Sequence, residues 1–229
     1  MKKFIILILA SFLILFVSSV GAQPKQIKLG FQGGLNFTNL SIDPTPQGAD
    51  LGMRTAFLFG GIFNYGFSPM LSLQVEPAFI QRGSSLDATT NEGGATQKFE
   101  STITVNYLDI PVLVKASFKA GKVKPFLLAG VSAAFLLGDV KWKVDKATNN
   151  GQDVTSQLPS NQKEQTKKGK STDFLLNFGG GIMIPVGKAD IFIEGQYNLG
   201  LTNINDESND TSTIKNSGIQ VKAGALFSL

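Results

Sequence analysis

Residues 172–204, TDFLLNFGGGIMIPVGKADIFIEGQYNLGLTNI, contain two long segments in which apolar and polar side chains alternate. Phe174, Phe178 and Ile182 share one face of the first segment, whereas Asp173 and Asn177 lie on the other. A period of two residues predicts β-strands. Both segments exceed the roughly 5–6 residues of a typical globular strand and reach the roughly 9–11 that a tilted strand needs to cross a bilayer. Only residues 185–189 remain for a tight connection, so the stretch predicts a transmembrane β-hairpin.

The first 22 residues differ in kind from the rest. Lys2 and Lys3 precede an apolar run from Phe4 to Val17. The small residues Val20-Gly21-Ala22 then occupy the positions before a cleavage site. This pattern predicts a secretory signal peptide over residues 1–22 and a mature chain from Gln23 to Leu229. The alternative is a retained membrane-anchor helix, for which the run is short. No cysteine follows the run, which excludes a lipid-anchored lipoprotein.

Composition excludes several classes of function. The formal charge is +4, or +2 without Lys2 and Lys3, which is too little to indicate nucleic-acid binding. The absence of cysteine excludes a disulfide framework and thiolate metal sites. The absence of histidine excludes a Ser-His-Asp triad and imidazole metal ligands. We therefore expect no enzymatic activity, no cofactor and no metal.

Six further segments alternate in the same way as the first two. The predicted strands cover residues 27–38, 53–65, 71–82, 103–118, 124–138 and 217–229. Pro77 lies inside the third of these and predicts a bulge or local bend, because proline cannot donate a ladder hydrogen bond. In the fourth, Ile103 and Val105 are out of phase with Leu108 and Ile110. A bulge near Asn106, or exit of the strand from the membrane there, would reconcile the two halves.

The eight segments are joined by connections that alternate between long and short. The long ones are polar and cover residues 39–52, 83–98, 139–171 and 203–216; residues 139–171 carry seven lysines against four acids. Barrels of the bacterial outer membrane have an even number of strands, short periplasmic turns and long outer loops. The sequence therefore predicts an all-β protein, an eight-stranded antiparallel transmembrane β-barrel, with both termini in the periplasm.

One face of these strands is aliphatic and aromatic, whereas the other carries charges of both signs. An eight-stranded barrel is just wide enough for side chains to fill it, and confined charges need partners. We therefore expect an interior network of structural ion pairs rather than a catalytic pair of acids. The predicted members are Lys28, Arg54, Glu76, Asp109, Lys115, Glu194 and Lys222. The Gly179–Gly181 triplet lacks the spacing of a phosphate-binding loop and predicts close approach of backbones in the wall.

Several segments resemble one known family over nearly all of the mature chain. They are IKLGFQGGLNFT, SLQVEPAFIQRG, NYLDIPVLVKASF, KPFLLAGV, FGGGIMIPVG and GQYNLGLTNI. The chain is similar to the PorT-like outer-membrane β-barrel domain of Bacteroidetes, and Tyr107–Pro111 and Gly200–Ile204 are the most specific matches. The resemblance implies an integral outer-membrane barrel of Gram-negative cells. Its motifs mark the fold rather than an activity.

Two functions remain open from the sequence. The first is a structural or interaction barrel that presents four loops outside the cell, as an accessory to secretion or surface assembly, with an unknown extracellular or envelope protein as partner. The second is a small-solute channel. The lysines of residues 163–170 predict either a solvated loop or a surface for anionic lipopolysaccharide. We also expect contact with outer-membrane lipid, insertion by the barrel-assembly machinery, and no binding to nucleic acid.

Overall fold

The computed structural model describes residues 26–45, 48–92, 94–206 and 211–229. The predicted signal peptide lies outside these residues. Within these residues the helical content is one 3-10 turn (Thr155–Gln157) and one short helix, α1 (Ser160–Lys163). Within the described ranges, no helix has the length and apolar character needed to span a membrane. The strands are β1 (Gln26–Asp43), β2 (Ala49–Gly52), β3 (Arg54–Gly66), β4 (Leu71–Val75), β5 (Ala78–Glu92), β6 (Ala95–Ser117), β7 (Lys124–Leu136), β8 (Val140–Asn149), β9 (Gln152–Asp153), β10 (Glu164–Lys167), β11 (Thr172–Val186), β12 (Ala189–Gly200) and β13 (Thr213–Ser228).

Eight strand positions form a closed antiparallel ring, which is the wall of the barrel. Its order is β1, β3, β4 with β5, β6, β7, β11, β12 and β13, and β13 pairs again with β1. Closure satisfies backbone donors and acceptors within the wall and leaves the ring without free edges. The prediction of an eight-stranded antiparallel barrel is confirmed.

The wall strand that contains Pro77 is interrupted there. Ladder pairing stops at Val75 and resumes at Ala78, so β4 and β5 occupy one position in the ring. The gap is bridged by two backbone hydrogen bonds, from Glu76 N–H to the Pro111 carbonyl at 3.0 Å and from Gly61 N–H to the Pro77 carbonyl at 2.9 Å. Glu76 continues the inward phase of Ser72 and Gln74 across the break and lies in the lumen, where it is 1% exposed.

The outer surface of the ring is apolar. Phe31, Phe59 and Leu127 are 61%, 56% and 62% exposed, whereas the inward-facing Gln74 and Asn177 are fully buried. The rings of Phe57, Phe59 and Phe79 pack together on the outside with centroids 5.4–6.3 Å apart. Exposed apolar residues in water would be unfavourable over so large an area, so this surface suits lipid.

Of the two explanations for the change of phase in this strand, the prediction of a bulge near Asn106 is wrong. Pairing of β5 with β6 continues without a shift from Ala78 opposite Asp109 to Glu92 opposite Ala95. Ile103 and Val105 therefore point inward together with Tyr107. They belong to a buried apolar cluster inside the barrel, whose members are Leu40, Leu58, Ile80, Ile103, Val105, Tyr107, Ala134, Leu175 and Ile204. The phase conflict arose from assuming a uniformly polar interior.

The long connections contain more strand than the sequence predicts. Residues 83–98, expected to be a polar loop, form a hairpin in which β5 and β6 stay paired up to Glu92 and Ala95. Within residues 139–171, β8 pairs with the outer part of β6, and β9 and β10 pair with β8. β2 pairs with β5 along the edge of β5 that faces away from β6. The sheet thus continues beyond the ring at the end that carries the long connections, here called the long-loop end.

Candidate functional site: the filled lumen and its two ends

The centre of the lumen holds one lysine between two carboxylates. Lys222 Nζ lies 2.6 Å from Glu76 Oε2 and 2.9 Å from Glu194 Oε1, and all three side chains are at most 1% exposed. Glu194 and Lys222 face each other on β12 and β13, whereas Glu76 reaches them from the Pro77 break. Burial makes each charge dependent on the others, because none can be solvated by bulk water.

A layer of amides completes this ion cluster. Gln74 donates to Glu76 Oε1 at 2.5 Å and Gln32 donates to Glu76 Oε2 at 3.3 Å, while Gln196 donates to Glu194 Oε1 at 2.8 Å. The result is a cross-linked polar plug that ties β1, β4, β12 and β13 together through side chains. It occupies the space through which a solute would have to pass.

A second ion pair lies on the long-loop side of the plug. Arg82 donates to Asp109 Oδ2 at 2.6 Å, both side chains being 3% exposed, and its guanidinium lies 5.4 Å from the centroid of the Tyr107 ring. Nearby, Asn216 donates to Asp173 Oδ2 at 2.8 Å. Arg82 is not one of the seven predicted network residues, although it shares the inward phase of Glu76 and could have been predicted from that phase.

The seven residues singled out by sequence analysis do not form one network. Glu76, Glu194 and Lys222 meet at the centre, and Asp109 pairs with Arg82 instead of with a predicted lysine. Lys28 forms an ion pair with Asp190 at the end of the barrel that carries the short turns, here called the short-turn end.

Arg54 and Lys115 behave differently from the other five. Arg54 is half-buried at the start of β3 and donates to the Arg82 backbone carbonyl at 3.3 Å, so it contributes to the rim rather than to the plug. Lys115 is 2% exposed and donates to Gln74 Oε1 at 3.2 Å. Its ammonium lies 3.8 Å from the centroid of the Phe126 ring and 5.6 Å from that of Phe192.

Two glycines make room for the rings beside Lys115. A Cβ on Gly181 would lie 2.1 Å from the Ile193 backbone oxygen, 2.7 Å from Phe126 Cζ and 2.9 Å from Glu194 Cα. A Cβ on Gly224 would lie 2.7 Å from Phe192 Cζ. Gly181 belongs to the Gly179–Gly181 triplet. In the wall, the absence of a side chain there lets the neighbouring strand and an aromatic ring lie close to the backbone.

The short-turn end opens into a cavity of about 650 Å³ below the plug. Along β6 the inward side chains run from Leu113, which is fully buried, through Lys115 to Ser117, which lines the cavity. Lys115 therefore forms the floor of this cavity, called here the vestibule. Its lining residues are Gln26, Lys28, Asn64, Gly66, Ser68, Pro69, Met70, Leu71, Ser72, Lys115, Ser117, Phe118, Lys119, Lys124, Met183 and Leu226.

The long-loop end carries the sheet extension built from β8, β9 and β10, called here the platform. Its outermost strand β10 pairs with Val140–Lys143 of β8 and all four of its residues are exposed. Beside it, Asp153 accepts hydrogen bonds from the Thr155 hydroxyl at 2.6 Å and the Thr155 N–H at 2.8 Å. These bonds lower the pKa of the Asp153 carboxyl. No group of three acidic side chains in the described ranges is arranged to hold a metal ion.

Comparison with known families bears directly on this architecture. The family described as outer membrane protein beta-barrel domain matches residues 21–206. The chain belongs to this family. It is therefore an outer-membrane β-barrel protein, in agreement with the closed ring and its apolar outer surface.

Solved structures of outer-membrane barrels have a similar fold at low sequence identity. OprG from Pseudomonas aeruginosa is 13% identical with a TM-score of 0.50, over 90% of this chain and 95% of that one. Neisserial surface protein A is 14% identical with a TM-score of 0.46, over 87% and 96%. Ail of Yersinia pestis is 13% identical with a TM-score of 0.38, over 88% and 99%. No curated protein matches the sequence.

Proposed function

We propose that this outer-membrane protein is a non-conducting, non-enzymatic anchor that presents the platform to an anionic partner outside the cell. In this proposal the short-turn end and both termini face the periplasm, and the long-loop end faces outward. The proposal includes an accessory role in secretion or surface assembly.

The observation that carries the proposal is the filled lumen. The Glu76–Lys222–Glu194 cluster is at most 1% exposed and is flanked by apolar clusters on both sides. A permeating ion would have to displace side chains that form buried ion pairs with each other, which costs several kcal/mol for every charge left unpaired. The alternative, a small-solute channel, is favoured only by the vestibule, which ends at Lys115.

Planar-bilayer recording tests this part of the proposal. We expect no stable openings for the purified wild-type chain, with a general porin as positive control in the same bilayers. The triple variant E76A/E194A/K222A, which removes the plug, should show small but reproducible conductance if it folds. Reproducible openings of the wild type would refute the closed-anchor proposal and favour the channel.

The platform supports the interaction role because it combines an exposed sheet edge with excess positive charge. Residues 139–171 carry seven lysines against four acids, and Lys141, Lys143, Lys167 and Lys168 are exposed. An exposed strand can pair with a partner strand, and a basic surface attracts anionic molecules. Lipopolysaccharide is the first partner to test because the family places this chain in the outer membrane.

Binding of lipopolysaccharide can be measured with a matched pair of lysine variants. The variant K167Q/K168Q removes two charges at the platform, whereas K122Q/K188Q removes two charges from the short turns. We expect the first to weaken binding and the second to leave it unchanged, and we expect wild-type affinity to fall as salt is added. Binding that is independent of salt and of the platform lysines would contradict the electrostatic interaction.

The remaining proposed partners concern membrane insertion. The apolar outer surface supports direct contact with outer-membrane lipid. The last strand ends with Phe227 44% exposed and Leu229 82% exposed, which supports recognition by the barrel-assembly machinery. Deletion of residues 227–229 should leave the chain in the periplasm, which fractionation of cell envelopes would detect; unchanged insertion would contradict this role for the C-terminus.

A further inference from the structure

The vestibule is lined by several lysines. Four lysines line it and no Asp or Glu does so within the described ranges. Lys28 is compensated by its ion pair with Asp190. Lys115, Lys119 and Lys124 form no ion pair within 4.0 Å with a carboxylate of the described chain. Lys115 lies beside the plug, whose two carboxylates and one lysine leave a net negative charge, and it shares Gln74 with Glu76. The positive charge without a nearby carboxylate is therefore that of Lys119 and Lys124 at the mouth.

Lys115 is fixed in position, and part of its hydrogen-bonding capacity is still available. Its ammonium has three donors, and its hydrogen bond to Gln74 uses one of them. The Phe126 ring fixes it from one side at 3.8 Å, and that ring is accommodated by Gly181. The other N–H groups of the ammonium remain for an anion that enters the vestibule.

The rest of the lining determines what kind of anion fits. Met70, Phe118, Met183 and Leu226 supply apolar surface, and Asn64 and Ser72 supply polar groups. Asn64 donates to the Ser72 hydroxyl at 2.9 Å, so these two are already ordered. A volume of about 650 Å³ lies within the range of small-molecule pockets.

We propose that the vestibule binds a small amphipathic anion, with its carboxylate or phosphate head on Lys115 and its apolar body against Met70, Phe118 and Met183. Lys119 and Lys124 at the mouth attract the anion and contact it on entry. The site is separate from the platform, which lies at the opposite end of the barrel. It requires no conduction, because the plug closes the lumen behind Lys115.

The test uses the full chain in nanodiscs of zwitterionic phosphatidylcholine, with calorimetric titration of hexanoate, hexyl phosphate and neutral hexanol. Empty nanodiscs correct for partitioning into lipid. We expect saturable binding of at least one anionic probe at one site per chain and none of hexanol. The probe that binds more tightly shows whether the site prefers a carboxylate or a phosphate head group. Competition by phosphatidylglycerol in the nanodisc would identify a lipid as the source of the bound anion.

Three variants separate the site from general effects of charge. Lys115→Met should weaken binding at least tenfold, and K119M/K124M should weaken it severalfold without touching the buried interior. Lys122→Met, a change on the same turn outside the vestibule, should bind as wild type does. Should Lys115→Met fail to fold, as judged by heat-modifiable gel mobility, K119M/K124M decides. Equal affinity in wild type and K119M/K124M, absence of saturable binding to either anion, or equal binding of hexanol would overturn the proposal.

Discussion

Replacement of Lys222 by methionine tests whether the plug is an ion cluster or only a space filler. Lys222 is the cation shared by Glu76 and Glu194, at 2.6 Å and 2.9 Å. Lys222→Met keeps the apolar stem of the side chain but leaves two carboxylates buried beside each other. Breaking a buried pair by removing one partner costs about 3–5 kcal/mol. We expect a loss at the upper end of that range, since two partners are stranded rather than one.

The single carboxylate variants should cost less, and in a fixed order. Glu76 accepts from Lys222, Gln74 and Gln32, whereas Glu194 accepts from Lys222 and Gln196. After Glu194→Ala, Lys222 still pairs with Glu76, so the loss should be about 1.5–3 kcal/mol, the value of hydrogen bonds to a charged group. Glu76→Ala should cost more than Glu194→Ala because it leaves two amides without their acceptor instead of one, whereas Lys222 keeps its pair with Glu194.

Urea unfolding in lipid vesicles, followed by the gel mobility of the folded barrel, measures these differences. The matched control is E76Q/E194Q/K222M, which removes the three charges of the cluster together. It should be more stable than Lys222→Met alone, because the single change leaves charges uncompensated. A loss under about 1 kcal/mol for Lys222→Met, or a triple variant as unstable as the sum of its parts, would refute the ion-cluster explanation.

Three further predictions concern other parts of the molecule. Gly181→Ala should destabilise the barrel by about 1–3 kcal/mol through overpacking against the Ile193 backbone oxygen and the Phe126 ring, whereas Gly33→Ala, whose Cβ would have its nearest neighbour at 3.8 Å, should be tolerated; equal urea midpoints would contradict this. Asp109→Asn should cost about 3–5 kcal/mol in the same unfolding assay by leaving the Arg82 charge uncompensated, and wild-type stability would show that the pair is not needed. The Asp153 pKa is lowered by Thr155, so these hydrogen bonds stabilise the folded platform above the carboxyl's ordinary pKa and are lost as pH falls through the lowered value. Thr155→Val should therefore raise the Asp153 pKa in a carboxyl-carbon NMR titration, and an unchanged titration would rule the hydroxyl out.

The architecture of the wall could be predicted because it depends on local patterns. Which face of a strand meets lipid follows from a period of two, and strand length follows from the thickness of the bilayer. Residues 172–204 contain both signals, and the alternation of long and short connections extends them to a closed ring. The outward position of Phe174 and the inward position of Glu194 were therefore set by the chain itself.

The parts of the strands that extend beyond the ring could not be predicted from local alternation. The hairpin of residues 83–98 and the pairing of β8 with β6 involve polar residues without alternation. These strands form because they continue ladders that begin inside the barrel, and a ladder already in register adds pairs at little further cost in chain entropy. Composition alone therefore predicted loops.

The partners inside the lumen were decided only by the tertiary structure. Alternation brings a charge to the inner face, but strand register and the Pro77 break determine which charge it meets. Lys222 faces Glu194 across one ladder and Glu76 across the lumen, Asp109 meets Arg82, and Lys115 is left at the floor of the vestibule. The sequence determined that residues 172–204 cross the membrane with Glu194 turned inward. Closure of eight strands at this register decided what Glu194 contacts, because contacts across a lumen depend on the stagger of every strand in the ring.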